Sequence, residues 1–266
     1  MVKLTALASE GYFMTIVSNY DEYAEIQRKY PRSKSNDFLM PAELSKLISF
    51  GKLMYYADEK ALFTLIKREG FSKLIFRLRD YSATLPPLAV SAAASIAAYL
   101  VYREGKRPTE DEEWLLSQGF GHRMKLERYT AKTLNGEWSE DGISAATARE
   151  TYSMFDGLFP AEEMDLPSED MFTGEAICTR QDDGTPSAII YNLGNTRIMV
   201  VDEAERGKGT GSRLYGVYAS REMKKSSSTV INEWIKPDNH ASIAMCERLG
   251  FVKDSLVTDC YTIAVR

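Results

Sequence analysis

The residues best spaced to do chemistry lie between Arg197 and Phe251. The run Arg197-Ile198-Met199-Val200-Val201 has the apolar make-up of a strand and leads into Asp202-Glu203-Ala204-Glu205-Arg206-Gly207-Lys208-Gly209-Thr210-Gly211-Ser212-Arg213-Leu214. Alternate glycines, Gly207, Gly209 and Gly211, let the backbone take φ > 0 and turn consecutive N–H groups to one side. A helix beginning near Gly211 adds unpaired donors and the positive end of its dipole, each worth roughly 0.3–1 kcal/mol to a nearby anion. The chemistry this implies is capture of a diphosphate on main-chain amides. Arg206 and Lys208 either add charge to that cradle or are simply solvated.

A glycine turn alone fits several readings. A Walker loop needs Lys followed by Ser or Thr, and here Lys208 is followed by Gly209,. A dinucleotide fingerprint is closer, since Gly207-x-Gly209 opens a helix and Glu233 lies about twenty residues on, near the place of the ribose-binding acid. A glycine-rich helix start with no ligand is the third. A second run, Asn239-His240-Ala241-Ser242-Ile243-Ala244-Met245-Cys246-Glu247-Arg248-Leu249-Gly250-Phe251, begins 28 residues after Gly211. Together the two runs resemble the GNAT superfamily of acyl-CoA N-acyltransferases. Arg206, Gly209 and Gly211 match its Q/R-x-x-G-x-G/A loop, and Leu249-Gly250-Phe251 matches the end of its last helix. The close resemblance covers residues 170–266.

That resemblance implies an acyl-CoA donor, acetyl-CoA in the simplest case, and an amine acceptor on a small molecule or peptide. The cofactor would lie along Met199, Val200 and Val201, with a backbone N–H of this strand on the thioester carbonyl, freed by a bulge near Val200 or Val201. The loop Arg206, Gly207, Lys208, Gly209, Thr210, Gly211 and Ser212 would hold the diphosphate. Asn239 would meet the pantetheine arm; on its own chemistry it is a good helix cap, and the two roles can coexist. An amine resembling lysine, with a pKa near 10.4, is almost wholly protonated at neutral pH, so a base or a water path matters. Glu233, an acid inside the apolar strand Val230 to Ile235, is the leading base, with Asp202 and Glu203 as alternatives; Glu233 could equally form a structural hydrogen bond. At the position where many relatives carry a tyrosine acid the chain has Cys246, which either protonates the departing thiolate or is plain core. The other functional classes left open are a module that binds acyl-CoA without turnover and a dinucleotide-binding protein.

The elements that position these residues read as an α/β protein of two GNAT-like halves, each a twisted mixed, mostly antiparallel sheet flanked by helices. Trp114-Leu115-Leu116-Ser117-Gln118-Gly119-Phe120 and the strand after it echo Leu249-Gly250-Phe251 and its trailing strand, 131 residues apart. The hairpin signal Leu53–Ala57, Asp58-Glu59-Lys60, Ala61–Ile66 parallels Ala176–Arg180, Asp182-Asp183-Gly184, Ala188–Tyr191,. From Asp80 to Phe120 is 40 residues, against 49 from Asp202 to Phe251. The deficit falls at Tyr81-Ser82-Ala83-Thr84-Leu85-Pro86-Pro87, which has no glycine and offers fewer amide donors,. The expectation is a degenerate domain over 1–130 lacking the phosphate loop and a GNAT N-acetyltransferase domain over 131–266; an unrelated α/β domain at the N-terminal end is the alternative. Gly142 to Leu158 reads as one helix with an Ile143, Ala146, Tyr152, Phe155 stripe. The segment Phe159 to Asp170 carries five acids and no base, which would draw a cationic amine, or serve only as a solvated loop.

Composition limits the remaining classes. With 266 residues, 44% hydrophobic content and a formal net charge of −5 without a long basic stretch, the chain suits a cytoplasmic enzyme and not a nucleic-acid binder. Cys178, Cys246 and Cys260, with no Cys-x-x-Cys and only His122 and His240, predict neither a disulfide framework nor a metal site,. The apolar run Leu88 to Val101 is too short to span a bilayer, and no secretory signal is evident.

Overall fold

The computed structural model describes residues 14–36, 39, 41–67, 71–87, 95–155, 176–193, 196–225 and 230–264. The chain divides into two compact units, Met1–Lys125 with Val257–Arg266, and Leu126–Leu256.

In the first unit the order is β1 (Thr15–Ile16), α1 (Tyr20–Arg28), α2 (Pro41–Ser49), β2 (Leu53–Ala57), β3 (Ala61–Lys67), β4 (Phe71–Leu78), β5 (Ser95–Arg103) and α3 (Thr109–Ser117). Strands β1 to β4 form an antiparallel meander, and β4 pairs with β5 in parallel from Phe71↔Ser95 to Leu74↔Ala98. Strand β3 is apolar along nearly its whole length because both its faces are covered,. Phe63, Leu65, Phe76 and Trp114 pack on one face; Leu53, Ile66 and Ile75 pack with Tyr23 and Leu44 of the first two helices on the other. The segment after β4 is taken up by α3. The Trp114 indole donates to the Ala83 carbonyl at 2.8 Å, the Leu85 amide donates to the Gln118 side chain at 2.8 Å, and the Tyr81 hydroxyl donates to Asp111 at 2.9 Å.

In the second unit the order is β7 (Ile143–Ala146), α4 (Ala148–Phe155), β8 (Ala176–Arg180), β9 (Pro186–Leu193), β10 (Thr196–Val201), α5 (Thr210–Lys225), β11 (Ile231–Ile235) and α6 (His240–Arg248). Strands β10-β9-β8-β7 make one antiparallel sheet with β10 at its edge. Strand β11 is the end strand of a separate sheet and pairs antiparallel with β6 (Gly121–Ala131) from Ile231↔Ala131 to Ile235↔Glu127.

Strand β6 begins in the first unit and ends in the second, while β12 (Val252–Ala264) does the reverse. The end of β12 neighbours β5, with the Thr258 hydroxyl donating to the Leu100 carbonyl at 3.2 Å and the Tyr102 hydroxyl to Asp259 at 2.6 Å. Where the sequence reading gives everything after residue 130 to the second half, the compact units thus place Val257–Arg266 with the first.

The helix expected over 142–158 is a correction. Ile143 to Ala146 is strand β7, paired with β8 from Ile143↔Thr179 to Ala146↔Ala176. The helix starts only at Ala148 because Thr147 and Glu150 form a capping box: the Thr147 amide donates to the Glu150 carboxylate at 2.8 Å and the Glu150 amide to the Thr147 hydroxyl at 3.1 Å,. The echo between the halves is visible in the backbone. Gly119 and Gly250 take φ of +88° and +94°. The next residue in each case, Phe120 or Phe251, bonds back to the carbonyl of Leu115 or Cys246 at 3.1 and 2.9 Å, closing both helices in the same way.

Candidate functional site

The site is built where β10 hands over to α5. Along β10 the side chains alternate, Ile198 and Val200 packing with Phe155 and Tyr191, and Met199 and Val201 packing with the core under α5,. After Val201 the Asp202 carboxylate accepts the Ala204 amide at 2.8 Å and starts a single 3-10 turn, Glu203–Glu205. Gly207 and Gly209 then take φ of +77° and +88°, a region in which a side chain is strained. The first bond of α5 runs from the Arg213 amide to the Gly209 carbonyl at 3.0 Å. The amides of Thr210, Gly211 and Ser212 therefore precede the first closed turn and have no carbonyl one turn behind them.

Gly211 is needed for a different reason. A Cβ there would lie 3.0 Å from Val201 Cγ2 and 3.3 Å from the Met199 terminal methyl, so the start of α5 sits directly against β10. Lack of a side chain brings the free amides up to the edge strand. Of the two cations in the turn, Arg206 donates through Nε to the Val201 carbonyl at 3.3 Å, and Lys208 Nζ lies 2.9 Å from Glu205. Asn239 caps α6 by accepting the Ser242 amide at 3.1 Å.

The candidate base and acid lie in the core beneath α5 and α6. The Glu233 carboxylate is 2.5 Å from Arg197 Nε, and Arg197 also donates to the Asn232 carbonyl, so this pair bridges β10 and β11. The Tyr215 and Tyr218 hydroxyls are buried beside this pair, Tyr215 towards Glu233 and Tyr218 towards Arg197. Burial raises the Glu233 carboxyl, with the Arg197 charge pulling the other way. Burial likewise holds the Tyr215 phenol well above its ordinary range.

Cys246 is 1% exposed and packs with Tyr215, Leu249 and Phe251. Burial, aided by the charges of Glu233 and Glu247, pushes its thiol up to about 12. A free thiol titrates near 8.5, so a proton passed from Cys246 to a departing thiolate would climb about 5 kcal/mol. Packing is the role this geometry favours. Of the alternative bases, Asp202 is occupied in part by its cap and Glu203 is exposed.

The sequence reading gives Arg197 and Tyr215 no functional role and takes Tyr218 as core; their meeting with Glu233 spans distant segments and has no local signal. The acidic segment 159–170 lies outside the described residues. Among the described residues no group of three or more His, Cys, Asp or Glu could hold a metal ion, and no helix is long and apolar enough to cross a membrane. His122 is bound to Asp259 at 2.8 Å, and the three cysteines are free and buried.

An edge strand, a glycine turn with left-handed φ and a helix with open amides thus meet within the stretch where comparison with known families finds a match. Residues 149–251 match the Acetyltransferase (GNAT) family, so the chain carries a GNAT domain over that stretch. Among solved structures, a Drosophila protein is similar at TM-score 0.61 and 13% identity, over 93% of this chain and 87% of that one. A tandem GNAT protein from the clavulanic acid biosynthesis pathway is similar at TM-score 0.57 and 13% identity, over 96% and 98%. A GNAT-family acetyltransferase from Colwellia psychrerythraea follows at TM-score 0.52 and 10% identity, over 95% and 100%. These likenesses establish the GNAT-like fold. No curated protein matches the sequence.

Proposed function

We propose that the second unit binds an acyl-CoA, acetyl-CoA in the simplest case, and transfers its acyl group to an amine of a small molecule or peptide. The observation that carries this is the start of α5, where the amides of Thr210, Gly211 and Ser212 are open and Gly211 sets them against β10. The residues fit the group. Gly207 to Ser212 would grip the diphosphate, with Arg206 and Lys208 supplying positive charge. The side of β10 away from β9, at Met199, Val200 and Val201, offers main-chain groups to a ligand that carries amides of its own, as an edge strand does for an added strand,. Asn239 would meet the same arm from the start of α6. Bound acyl-CoA supplies the activated acyl group.

The chain's own groups then position and deprotonate. Glu233 is the base in this reading, since its raised carboxyl is better matched to accepting a proton near neutral pH than an ordinary glutamate,. Arg197 orients it. The first unit has no equivalent cradle in this proposal, because Tyr81 to Leu85 is occupied by α3. We take the two units as tandem copies acting in the cytoplasm, with an acceptor that is cationic if the acids of 159–170 border its pocket.

The test is calorimetric titration of the full chain with acetyl-CoA, followed by release of free thiol over a panel of amines. Micromolar binding and amine-dependent thiol release are expected. A second reading, acyl-CoA binding without turnover, is favoured by one feature: Cys246 is locked as a neutral thiol and Glu233 is already ion-paired. Binding with no release on any amine would decide for it, and tighter binding of a dinucleotide than of acetyl-CoA would overturn both.

A further inference from the structure

Glu205 ends the 3-10 turn that leads into the glycine loop. Its two carboxylate oxygens face different partners: one lies 2.9 Å from Lys208 Nζ and the other accepts the Thr210 hydroxyl at 3.3 Å. Lys208 sits in the glycine turn and Thr210 is the first residue of α5, so a single carboxylate spans the entrance to the open amides. A negative group at a helix start is electrostatically favoured there. It also engages the lysine of the turn, while Arg206 is turned to the Val201 carbonyl. From Asp202 to Lys208 three carboxylates face two cations, and a diphosphate brings further negative charge to the same place.

We infer that the Glu205 carboxylate is an internal competitor for the cradle, holding the ligand-free turn together and setting the affinity for acyl-CoA below what the amides and Lys208 alone would give. This rests on the acyl-CoA reading of the second unit. A ligand must break the contacts of Glu205 with Lys208 and Thr210, and Lys208 then turns to the phosphates. Removing the charge while keeping the shape should therefore help binding, which is the reverse of the usual effect of altering a residue beside a ligand.

The experiment is calorimetric titration of the full chain with CoA for the wild type, Glu205→Gln and Glu203→Gln, at low and high salt. Glu203 is exposed and carries the same charge two residues earlier, so it controls for a general change in field. Glu205→Gln should bind about three- to tenfold more tightly at low salt, with the gain fading near 1 M, where charges are screened beyond ~3 Å. Glu203→Gln should stay within about twofold of wild type. Equal or weaker binding by Glu205→Gln, with the wild type binding normally, would make Glu205 a scaffold of the turn and sink this inference alone. An equal gain in both variants would also sink it. No binding by wild type and Glu205→Gln alike, at unchanged melting temperature, would remove the acyl-CoA reading and this inference with it.

Discussion

Replacing Gly209 by alanine tests the cradle most directly. Gly209 holds φ at +88° with nothing within 4 Å of the position a Cβ would take, so the cost is backbone strain and not collision. A side chain in the left-handed region costs about 1–2 kcal/mol, which lowers the melting temperature of a chain this size by roughly 2–8 °C. The Gly209 carbonyl also accepts the first bond of α5, so relief of the strain rotates the amides that follow. Loss of one charge-assisted amide bond to a phosphate costs about 1.5–3 kcal/mol, or roughly ten- to a hundredfold in affinity. Gly184, in the turn between β8 and β9, has φ of +87° and equally open surroundings. Gly184→Ala should therefore lose similar stability with no change in CoA affinity. Calorimetric titration and thermal unfolding of both variants give the answer. The reasoning is wrong if Gly209→Ala binds CoA as the wild type does, or if Gly184→Ala weakens binding as much.

Arg197→Met leaves the Glu233 carboxylate buried and unpaired, which should cost about 3–5 kcal/mol in denaturant unfolding at pH 7, while Arg197→Met with Glu233→Leu should regain most of it. Because burial raises the Glu233 carboxyl in the fold, the single variant should recover stability as pH falls through that raised value and lose it as pH climbs; a flat pH profile would contradict this,. Glu150 runs the other way. Arg180 and the Thr147 amide hold its carboxyl down at about 2, so its contribution is complete above the ordinary carboxylate range and vanishes as pH falls towards that value. Glu150→Gln should be less stable by about 1 kcal/mol or less at pH 7, given the partial solvation of the pair, and should converge with the wild type in acid. Cys246→Ala should lower stability by about 1–2 kcal/mol through its small cavity and leave turnover per folded molecule unchanged; a large loss of turnover at wild-type CoA affinity would restore Cys246 as the acid.

What could be read in advance was local. The hairpins β2–β3 and β8–β9 announce themselves because apolar runs flank polar turns that begin with Asp, and the helix ends at Gly119 and Gly250 do so because glycine takes their positive φ without strain,. Strand β7 hides because Ser144, Ala145 and Ala146 are small and lie next to helix-compatible residues, and the Thr147-x-x-Glu150 box that stops the strand was in plain view but unread. Helices α1 and α2 escape because Asp, Glu and Lys interrupt their apolar stripes. The glycine loop is legible as a turn into a helix start, yet the state of its charges is not. Sequence shows that Glu205 and Lys208 are three apart, but not that the same carboxylate also reaches Thr210. Arg197 meets Glu233 across 36 positions of chain, and no local pattern reports such a pairing.

The crossing of β6 and β12 bears on how this protein comes into being. The first unit emerges from the ribosome early but lacks the strand that borders β5 until residue 264 has been made, so its exposed sheet margin must wait through the synthesis of the whole second unit. Cutting the chain after Lys125 to study the first unit alone would strip away the part of β12 that borders β5, and a fragment prepared that way is expected to clump or to borrow the missing strand from a sister molecule,.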